Sequence, residues 1–216
     1  MKNKKIVAFV PIKENSVRLK NKNFRLLGEK PLYFHIYNTL THTPSIESVY
    51  LYTSEPLESF DLPSGVKYIG KDPENSEDSE SAISLIQDFC NKVDSDLYLL
   101  AHATTPFTTC KTIERAIDKV ISEKFDSALT VERINTFAWY DYKTLNYNIN
   151  SVPKTQNLQP VIIETSGFYL FSKSLALNDS RRIGYNPYFC VVECPETIDI
   201  DYNWQFHMAE LYSSTD

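Results

Sequence analysis

The stretch Leu97-Tyr98-Leu99-Leu100-Ala101 is apolar at every position and lies between two segments with a helical period. A strand that is apolar on both faces is typical of a parallel sheet covered by helices on each side. Apolar residues recur at intervals of three and four in residues 79–93 before it and in residues 113–121 after it. This alternation predicts an α/β fold with a doubly wound, mainly parallel sheet.

The same alternation extends toward both ends of the chain. The apolar run of residues 5–12 predicts a first strand, and a helix is predicted at residues 31–41. Sheets of this kind bind ligands at the carboxyl ends of their strands. Further strands are predicted at residues 49–53, 66–69, 127–131, 162–171 and 187–194, and a closing helix at residues 204–212.

The alternation stops in a polar stretch, rich in Tyr and Asn, at about residues 133–160. Two interpretations are open for it. One is a flexible surface insertion, and the other is an ordered hairpin or protruding arm whose aromatic side chains pack at an interface. We expect residues 1–216 to form one domain, with this stretch as an arm inserted in it.

Charge and cysteine content narrow the range of partners. A formal net charge of −6 gives no reason to expect a nucleic acid or an anionic membrane, since both attract an excess of Lys and Arg. No apolar run approaches the roughly 18 residues of a membrane span. The four scattered cysteines do not suggest a disulfide framework. We therefore expect a cytoplasmic, reduced protein with no nucleic-acid or membrane partner.

The loop after the first strand concentrates positive charge in a net-negative chain. Between residues 11 and 25, five side chains are basic and one is acidic. A triphosphate bound at the edge of an α/β sheet needs several charge-assisted hydrogen bonds of the kind these side chains can donate. The loop lacks glycine, so it is neither a P-loop nor a dinucleotide fingerprint. A solvated basic turn is the alternative interpretation.

A pair of carboxylates, Asp199 and Asp201, lies between the last strand and the last helix. In an extended segment, residues two apart point the same way with Cα atoms about 7 Å apart. Both carboxylates can then bind one hard cation such as Mg²⁺. The alternative is that Asp201, or Asn203, simply caps the final helix.

Polar residues also follow the apolar strand at residues 97–101, in the segment from His102 to Thr109. Its imidazole and hydroxyl groups are able to hydrogen-bond a base or a sugar at the ligand-binding edge of the sheet. An ordinary turn in which Thr109 or Thr112 caps the next helix is the other interpretation.

Together, these features resemble the acylneuraminate cytidylyltransferase family, the CMP-sialic acid synthetases. The family motif Ile-Pro-Ala-Arg-Gly-Gly-Ser-Lys falls on residues 10–17, and Lys22-Asn23 closes it. Ser16-x-Arg18-Leu19 is more similar to the 3-deoxy-manno-octulosonate cytidylyltransferases. The closing Ile-Asp-Ile-Asp is intact, and three further motifs, Gln-Pro-Thr-Ser-Pro-Leu-Arg, Arg-Gln-Asp-Leu-Pro-Pro and Glu-Asn-Gly-Ala-hydrophobic-Tyr, fall on residues 102–108, 155–160 and 164–169.

The chain departs from the family pattern at several positions. The double glycine is missing, Lys13 replaces an arginine, and His102 replaces a glutamine. Thr108 and Thr155 stand where the family has arginines, although Lys154 lies next to Thr155. These changes affect the expected sugar more than they affect nucleotide activation.

The resemblance implies a nucleotidyltransferase of the nucleotide-diphospho-sugar transferase type that couples CTP to an acidic 2-keto sugar and releases pyrophosphate. It implies Mg²⁺ bound by Asp199 and Asp201, and a homodimer joined through the arm. It assigns catalysis to Lys22, Arg18 and Asp201. By the same resemblance, sugar binding falls to Gln156 and Lys154, and nucleotide binding to Lys13, Ser16, Arg18, Lys22, Asn23, His102 and Thr104.

Two other classes of function stay open. A metal-dependent sugar-nucleotide glycosyltransferase also uses an Asp-x-Asp pair in an α/β fold, but there the pair normally ends a strand in the middle of the chain. Here Asp199 and Asp201 precede the final helix. A degenerate, non-catalytic nucleotide-binding protein is suggested by the missing glycines and by His102 and Thr108.

Overall fold

The computed structural model describes residues 4–13, 18–71, 81–122 and 125–214. Within these residues the main feature is a seven-stranded sheet, accompanied by two short two-stranded ladders. In chain order the elements are β1 (Ile6–Pro11), β2 (Leu26–Leu27), β3 (Lys30–Pro31), α1 (Leu32–Thr41), β4 (Ser48–Thr53), β5 (Val66–Gly70), α2 (Ala82–Lys92), β6 (Leu97–Ala101), α3 (Cys110–Ser122), β7 (Ser127–Ile134), β8 (Trp139–Tyr140), β9 (Lys143–Thr144), β10 (Val161–Ser172), α4 (Lys173–Leu177), β11 (Pro187–Val191) and α5 (Asn203–Ser213).

The strand order in the large sheet is β11-β7-β10-β6-β1-β4-β5. β1 is parallel to β4 and β6, β4 is parallel to β5, and β11 is parallel to β7. β10 is antiparallel to both of its neighbours, β6 and β7. The predicted mainly parallel sheet is confirmed. β10 is reversed because a hairpin-bearing segment, and not a crossover helix, connects it to β7.

The central strands are buried on both faces, as their continuous apolar sequence predicts. In β1, Ala8 belongs to a core cluster with Ile36 of α1 and Ile113 of α3. Phe9, which points to the opposite face, stacks on Phe89 of α2 with the ring centroids 4.0 Å apart. Helices therefore cover both faces of the sheet, and the loops at the carboxyl ends of its parallel strands are left to form a site.

The last strand is shorter than its sequence suggests. Residues 187–194 were expected to form it, but β11 ends at Val191. Val192 still donates a backbone hydrogen bond to Val131 over 2.9 Å. Pro195, which has no backbone N–H, then follows Cys194 and cannot donate to a sheet. All four cysteines are free thiols, and no helix in the described part of the chain has the length and apolar character to cross a membrane.

The stretch between β7 and β10 contains a short hairpin, which is the kind of structure expected in the second of the two interpretations. β8 pairs with β9 across a tight turn in which Asp141 and Tyr142 have φ of 49° and 60°. The Asn146 side chain accepts a hydrogen bond from the backbone N–H of Ala138 and donates to the carbonyl of Gln159, over 3.1 and 2.8 Å. These bonds tie the hairpin to the base of the arm.

Candidate active site

A cavity of about 260 Å³ opens at the carboxyl edge of the parallel strands. The loops that follow β1, β5 and β6 supply its walls, as expected for a sheet of this type. Its polar lining includes three lysines, one asparagine, one histidine and one threonine: Lys13, Lys22, Lys71, Asn23, His102 and Thr104.

A cluster of charges next to this cavity joins the two ends of the chain. The Nζ of Lys22 lies 2.8 Å from Oδ1 of Asp201, and an Nη of Arg18 lies 2.7 Å from Oδ2. The side chain of Lys22 is only 10% exposed, whereas that of Arg18 is 56% exposed. The basic loop is therefore more than a solvated turn, because two of its cations neutralise one carboxylate of the Asp-x-Asp pair.

Local backbone bonds bring these side chains together. Lys22 begins a short 3-10 turn, and its N–H donates to the carbonyl of Leu19 over 3.1 Å. At the other end of the chain, the N–H of Ile200 donates to the carbonyl of Thr104 over 2.8 Å. This bond fixes the segment that carries Asp201 against the loop after β6.

Neither Asp201 nor Asn203 caps the final helix, so that interpretation of the acidic pair is wrong. The N-cap of α5 is Tyr202. Oε1 of Gln205 accepts hydrogen bonds from the N–H groups of Asp201 and Tyr202, each over 2.8 Å. Gln205 thus closes the helix end and leaves the carboxylate of Asp201 available to Arg18 and Lys22.

Asp199 is mostly buried, and its Oδ1 has no hydrogen-bond partner among the described residues. Burial raises the pKa of this carboxyl, opposed by a hydrogen bond from the hydroxyl of Thr104, while the negative charge of Asp201 raises it further. An ionised carboxylate in this position is stabilised by a cation. Two carboxylates together with substrate phosphates form a common Mg²⁺ site, so the residues fit this ion.

Within the described residues, no group of three or more metal-binding side chains occurs. A magnesium ion at Asp199 and Asp201 would therefore take its other oxygen ligands from water and from the substrate.

His102 is held in a defined tautomer by the strand next to it. Its Nδ1 lies 2.6 Å from the carbonyl oxygen of Ser166, so Nδ1 donates the proton. Burial lowers the pKa of His102, although the bond to Ser166 opposes the shift. The ring is therefore neutral near pH 7, and Nε2 is a hydrogen-bond acceptor.

A bulge in β10 places the carbonyl of Ser166 in position to accept this bond. The register with β7 shifts between Glu164 and Tyr169, and Ser166 has a φ of 58°. The next residue, Gly167, donates its N–H to Oγ1 of Thr130 over 2.9 Å. A Cβ at Gly167 would lie 2.8 Å from that oxygen, so only glycine fits beside the bulge.

Asn23 also has an unused polar atom in the cavity. Its Nδ2 donates to the carbonyl of Lys13 over 3.1 Å, and its buried Oδ1 has no partner among the described residues. The amide is thus held in place by the loop after β1, and its oxygen has hydrogen-bond acceptor capacity that no described residue uses.

Sequence reasoning missed two residues that line the cavity, Lys71 and Tyr52. Lys71 follows β5 directly, is 7% exposed, and donates its N–H to the carbonyl of Thr53 over 2.8 Å. Tyr52 is fully buried at the end of β4, and its hydroxyl bonds to Asp88. Position is the signal that could have found them, because both lie at the carboxyl ends of parallel strands.

Other predicted residues lie elsewhere. Lys154 and Gln156 are exposed at a 3-10 turn of the arm, and neither lines the cavity. Ser16 is outside the described residues. Thr109 does cap α3, since its Oγ1 accepts from the N–H of Thr112 over 3.2 Å, so the interpretation as a capped turn holds for this residue. His102 and Thr104 nevertheless line the cavity.

Comparison with known proteins shows the family of this chain. The family model described as Cytidylyltransferase matches residues 7–182. N-acylneuraminate cytidylyltransferase A of Danio rerio is 25% identical over 214 residues, which cover 94% of this chain and 50% of the relative. The chain thus spans about half the length of the curated relatives it matches.

Two solved structures share the fold. A CMP:2-keto-3-deoxy-manno-octonic acid synthetase in complex with CTP superposes with a TM-score of 0.70 at 15% identity, covering 98% of this chain and 99% of the other. The 4-diphosphocytidyl-2C-methyl-D-erythritol synthase of Anaerococcus prevotii gives a TM-score of 0.68 at 13% identity, covering 98% and 97%. At these identities the likeness establishes the architecture alone.

Proposed function

The chain belongs to the cytidylyltransferase family, and on that premise we propose that it transfers CMP from CTP to an acidic 2-keto sugar and releases pyrophosphate. The observation that carries the proposal is the contact of Arg18 and Lys22 with Asp201 beside the cavity. Relatives named for N-acylneuraminate, and a structural neighbour named for an octonic acid, support a sugar acid as the acceptor.

The cations of the first loop would bind the triphosphate. Lys22 and Arg18 already neutralise one carboxylate, and Lys13 lines the same cavity. Phosphoryl transfer depends chiefly on positioning and on neutralising the charge that develops on the phosphate oxygens. We assign Ser16 to the same task by its place in the loop.

Asp199 and Asp201 would hold Mg²⁺. Bound there, the ion would neutralise phosphate charge and activate the incoming hydroxyl. The cations that now contact Asp201 then become available to the phosphates. The unpartnered Oδ1 of Asp199 supports this assignment.

His102, Thr104 and Asn23 would orient the nucleotide and the sugar. Neutral His102 has an acceptor at Nε2, and Asn23 has an unused acceptor at Oδ1. Acceptors suit the hydroxyl and amino donors of a sugar and a cytosine base. Because His102 also contacts β10 through Ser166, it lies between the nucleotide cavity and the side of the sheet from which the arm extends.

The arm would join two copies of the chain. Large apolar side chains are exposed along it and on the adjoining part of β10: Phe137, Trp139, Tyr140, Tyr142, Leu145, Ile149, Val152, Ile162 and Ile163. Exposed apolar groups in one contiguous segment are typical of an interface. In such a dimer Lys154 and Gln156, which do not line the cavity of their own chain, would face the sugar bound by the partner.

A direct test supplies CTP, Mg²⁺ and a panel of sugar acids that includes N-acetylneuraminate and 3-deoxy-manno-octulosonate. We expect pyrophosphate release and a CMP-sugar with at least one acid, and none with neutral hexoses. Transfer from a ready-made sugar nucleotide to an acceptor would instead indicate a glycosyltransferase. No turnover of CTP with any acid would indicate a non-catalytic binding protein.

A further inference from the structure

A polar cluster on β10 lies beyond His102, and its residues Glu164 and Tyr169 are not among those that line the cavity. The ring of His102 meets the ring of Tyr169 edge-on, with the centroids 6.0 Å apart. The hydroxyl of Tyr169 donates to Oε2 of Glu164 over 2.6 Å. Burial and this hydrogen bond raise the pKa of Tyr169 to about 12, so the phenol stays neutral. The cluster is thus a fixed surface beside the reaction site.

Arg182 lies on this surface. It comes from the segment between α4 and β11, and its guanidinium carbon lies 3.7 Å from the centroid of the Tyr169 ring. It is therefore within about 10 Å of the His102 ring, which lies 6.0 Å from the same centroid. Burial is the main cause of the lowered pKa of His102, and the positive charges of Arg182 and Lys22 lower it further.

The guanidinium is held in place, but its hydrogen-bonding capacity is unused. An Nη of Arg182 is 3.9 Å from Oε2 of Glu164, which is too long for a hydrogen bond. The side chain of Arg182 is only 28% exposed, and its guanidinium donates no hydrogen bond to any described residue. Five N–H donors in a rigid planar fork therefore have no hydrogen-bond acceptor among the described residues, within about 10 Å of the His102 ring.

A carboxylate is the group that such a fork binds best, through two parallel hydrogen bonds. In a 2-keto sugar acid, the carboxylate is attached to the anomeric carbon, which also carries the attacking hydroxyl. The group that binds this carboxylate must consequently lie close to the reacting phosphorus. Arg182 meets that requirement to within about 10 Å, since both it and His102, which lines the nucleotide cavity, contact the ring of Tyr169.

We infer that Arg182, stacked on Tyr169 and aligned by Glu164, binds the carboxylate of the acidic sugar. This inference rests on the proposed function and assigns the selection of acidic over neutral sugars to one side chain. Glu164 is a positioning residue, since it accepts a hydrogen bond from Tyr169, forms an ion pair with Arg182 and is not among the residues that line the cavity.

The test compares Arg182→Gln and Arg182→Lys with Arg181→Gln. Arg181 is the matched control, because it stacks in the same way on a ring, that of Tyr185, which is 90% exposed. Each variant is assayed for KM of CTP and of the accepted sugar acid, and for thermal stability. We expect Arg182→Gln to raise the sugar KM about 10- to 150-fold with little change for CTP, the factor expected for a charge-assisted hydrogen bond. Arg182→Lys should recover part of the loss, and Arg181→Gln should behave as the parent.

A carboxamide analogue of the sugar makes the test specific. In the parent, replacing the carboxylate by the amide should weaken binding, and in Arg182→Gln the acid and amide should bind alike. An unchanged acid-to-amide preference in Arg182→Gln overturns the inference, and so does an equal loss in the Arg181 control. These outcomes leave the proposed function intact, whereas a parent that turns over no sugar acid with CTP overturns that function itself.

Discussion

Replacing Lys22 with Met separates the contribution of this residue to the fold from its contribution to the ligand. The Met side chain keeps the buried alkyl stem and removes the ammonium group that lies 2.8 Å from Asp201. Breaking a buried pair costs about 3–5 kcal/mol, but Arg18 still neutralises Asp201, so we expect about 1–2 kcal/mol here. At roughly 2–4 °C per kcal/mol for a chain of this size, Tm should fall by about 2–8 °C.

The loss of affinity for CTP should be much larger. A charge-assisted hydrogen bond to a phosphate contributes about 1.5–3 kcal/mol, which corresponds to a Kd roughly 10- to 150-fold weaker. Calorimetric titration with CTP and Mg²⁺ measures this change. Lys20→Met is the control, because Lys20 is an exposed cation in the same loop and its removal should change Kd by less than about threefold. Equal affinity in Lys22→Met and the parent, or equal losses in both variants, would refute the reasoning.

Three further outcomes test the other parts of the site. Asp199→Asn should reduce turnover about 100-fold or more and yet raise Tm near neutral pH. Burial raises the pKa of Asp199 in the folded protein, so the protonated carboxyl stabilises the fold below the unfolded pKa and this stabilisation is lost as pH rises through the folded pKa. The neutral amide of Asn avoids that loss. A lower Tm in this variant would contradict that sign. When the pH is lowered from about 7.5 to about 5, His102→Gln should lose less stability than the parent. Burial lowers the pKa of His102, so in the parent the unfolded chain is protonated at a higher pH than the folded protein, which favours unfolding. Equal losses of stability in the variant and the parent would contradict this reasoning. The double variant Trp139→Arg, Tyr140→Arg should have the mass of a single chain in light scattering. Tyr185 is an exposed aromatic residue outside the arm, so Tyr185→Arg should retain the dimeric mass expected of the parent. A parent that is already monomeric would contradict the proposed role of the arm.

The sequence was most informative where a periodic pattern extends over a whole element. The apolar strand at residues 97–101 and the helix after it were predicted from periodicity, and β6 and α3 confirm them. That the basic loop and the acidic pair belong to one site followed from the family resemblance, and the contacts of Arg18 and Lys22 with Asp201 agree with it. Such reasoning works when burial dictates the residue type.

Features that depend on a single partner were not predictable. The reversed direction of β10 depends on how the arm folds, and no periodicity records this. At the start of α5 the sequence offered Asp201 and Asn203 as caps, whereas Gln205 accepts the N–H of Tyr202 and the carboxylate of Asp201 contacts Arg18 and Lys22. Arg182 was missed because its position is set by the ring of Tyr169, a neighbour in space and not in sequence.

The ion pair between Lys22 and Asp201 joins residues that are 179 positions apart. During translation at about 5–20 residues per second, Asp201 is added roughly 10–35 s after Lys22. The nascent chain therefore exposes an unneutralised basic loop while most of the sheet is already available to fold. Only the synthesis of the segment that carries Asp201 supplies the carboxylate that balances this loop, so the charge balance of the pocket is reached well after the first strand has been made.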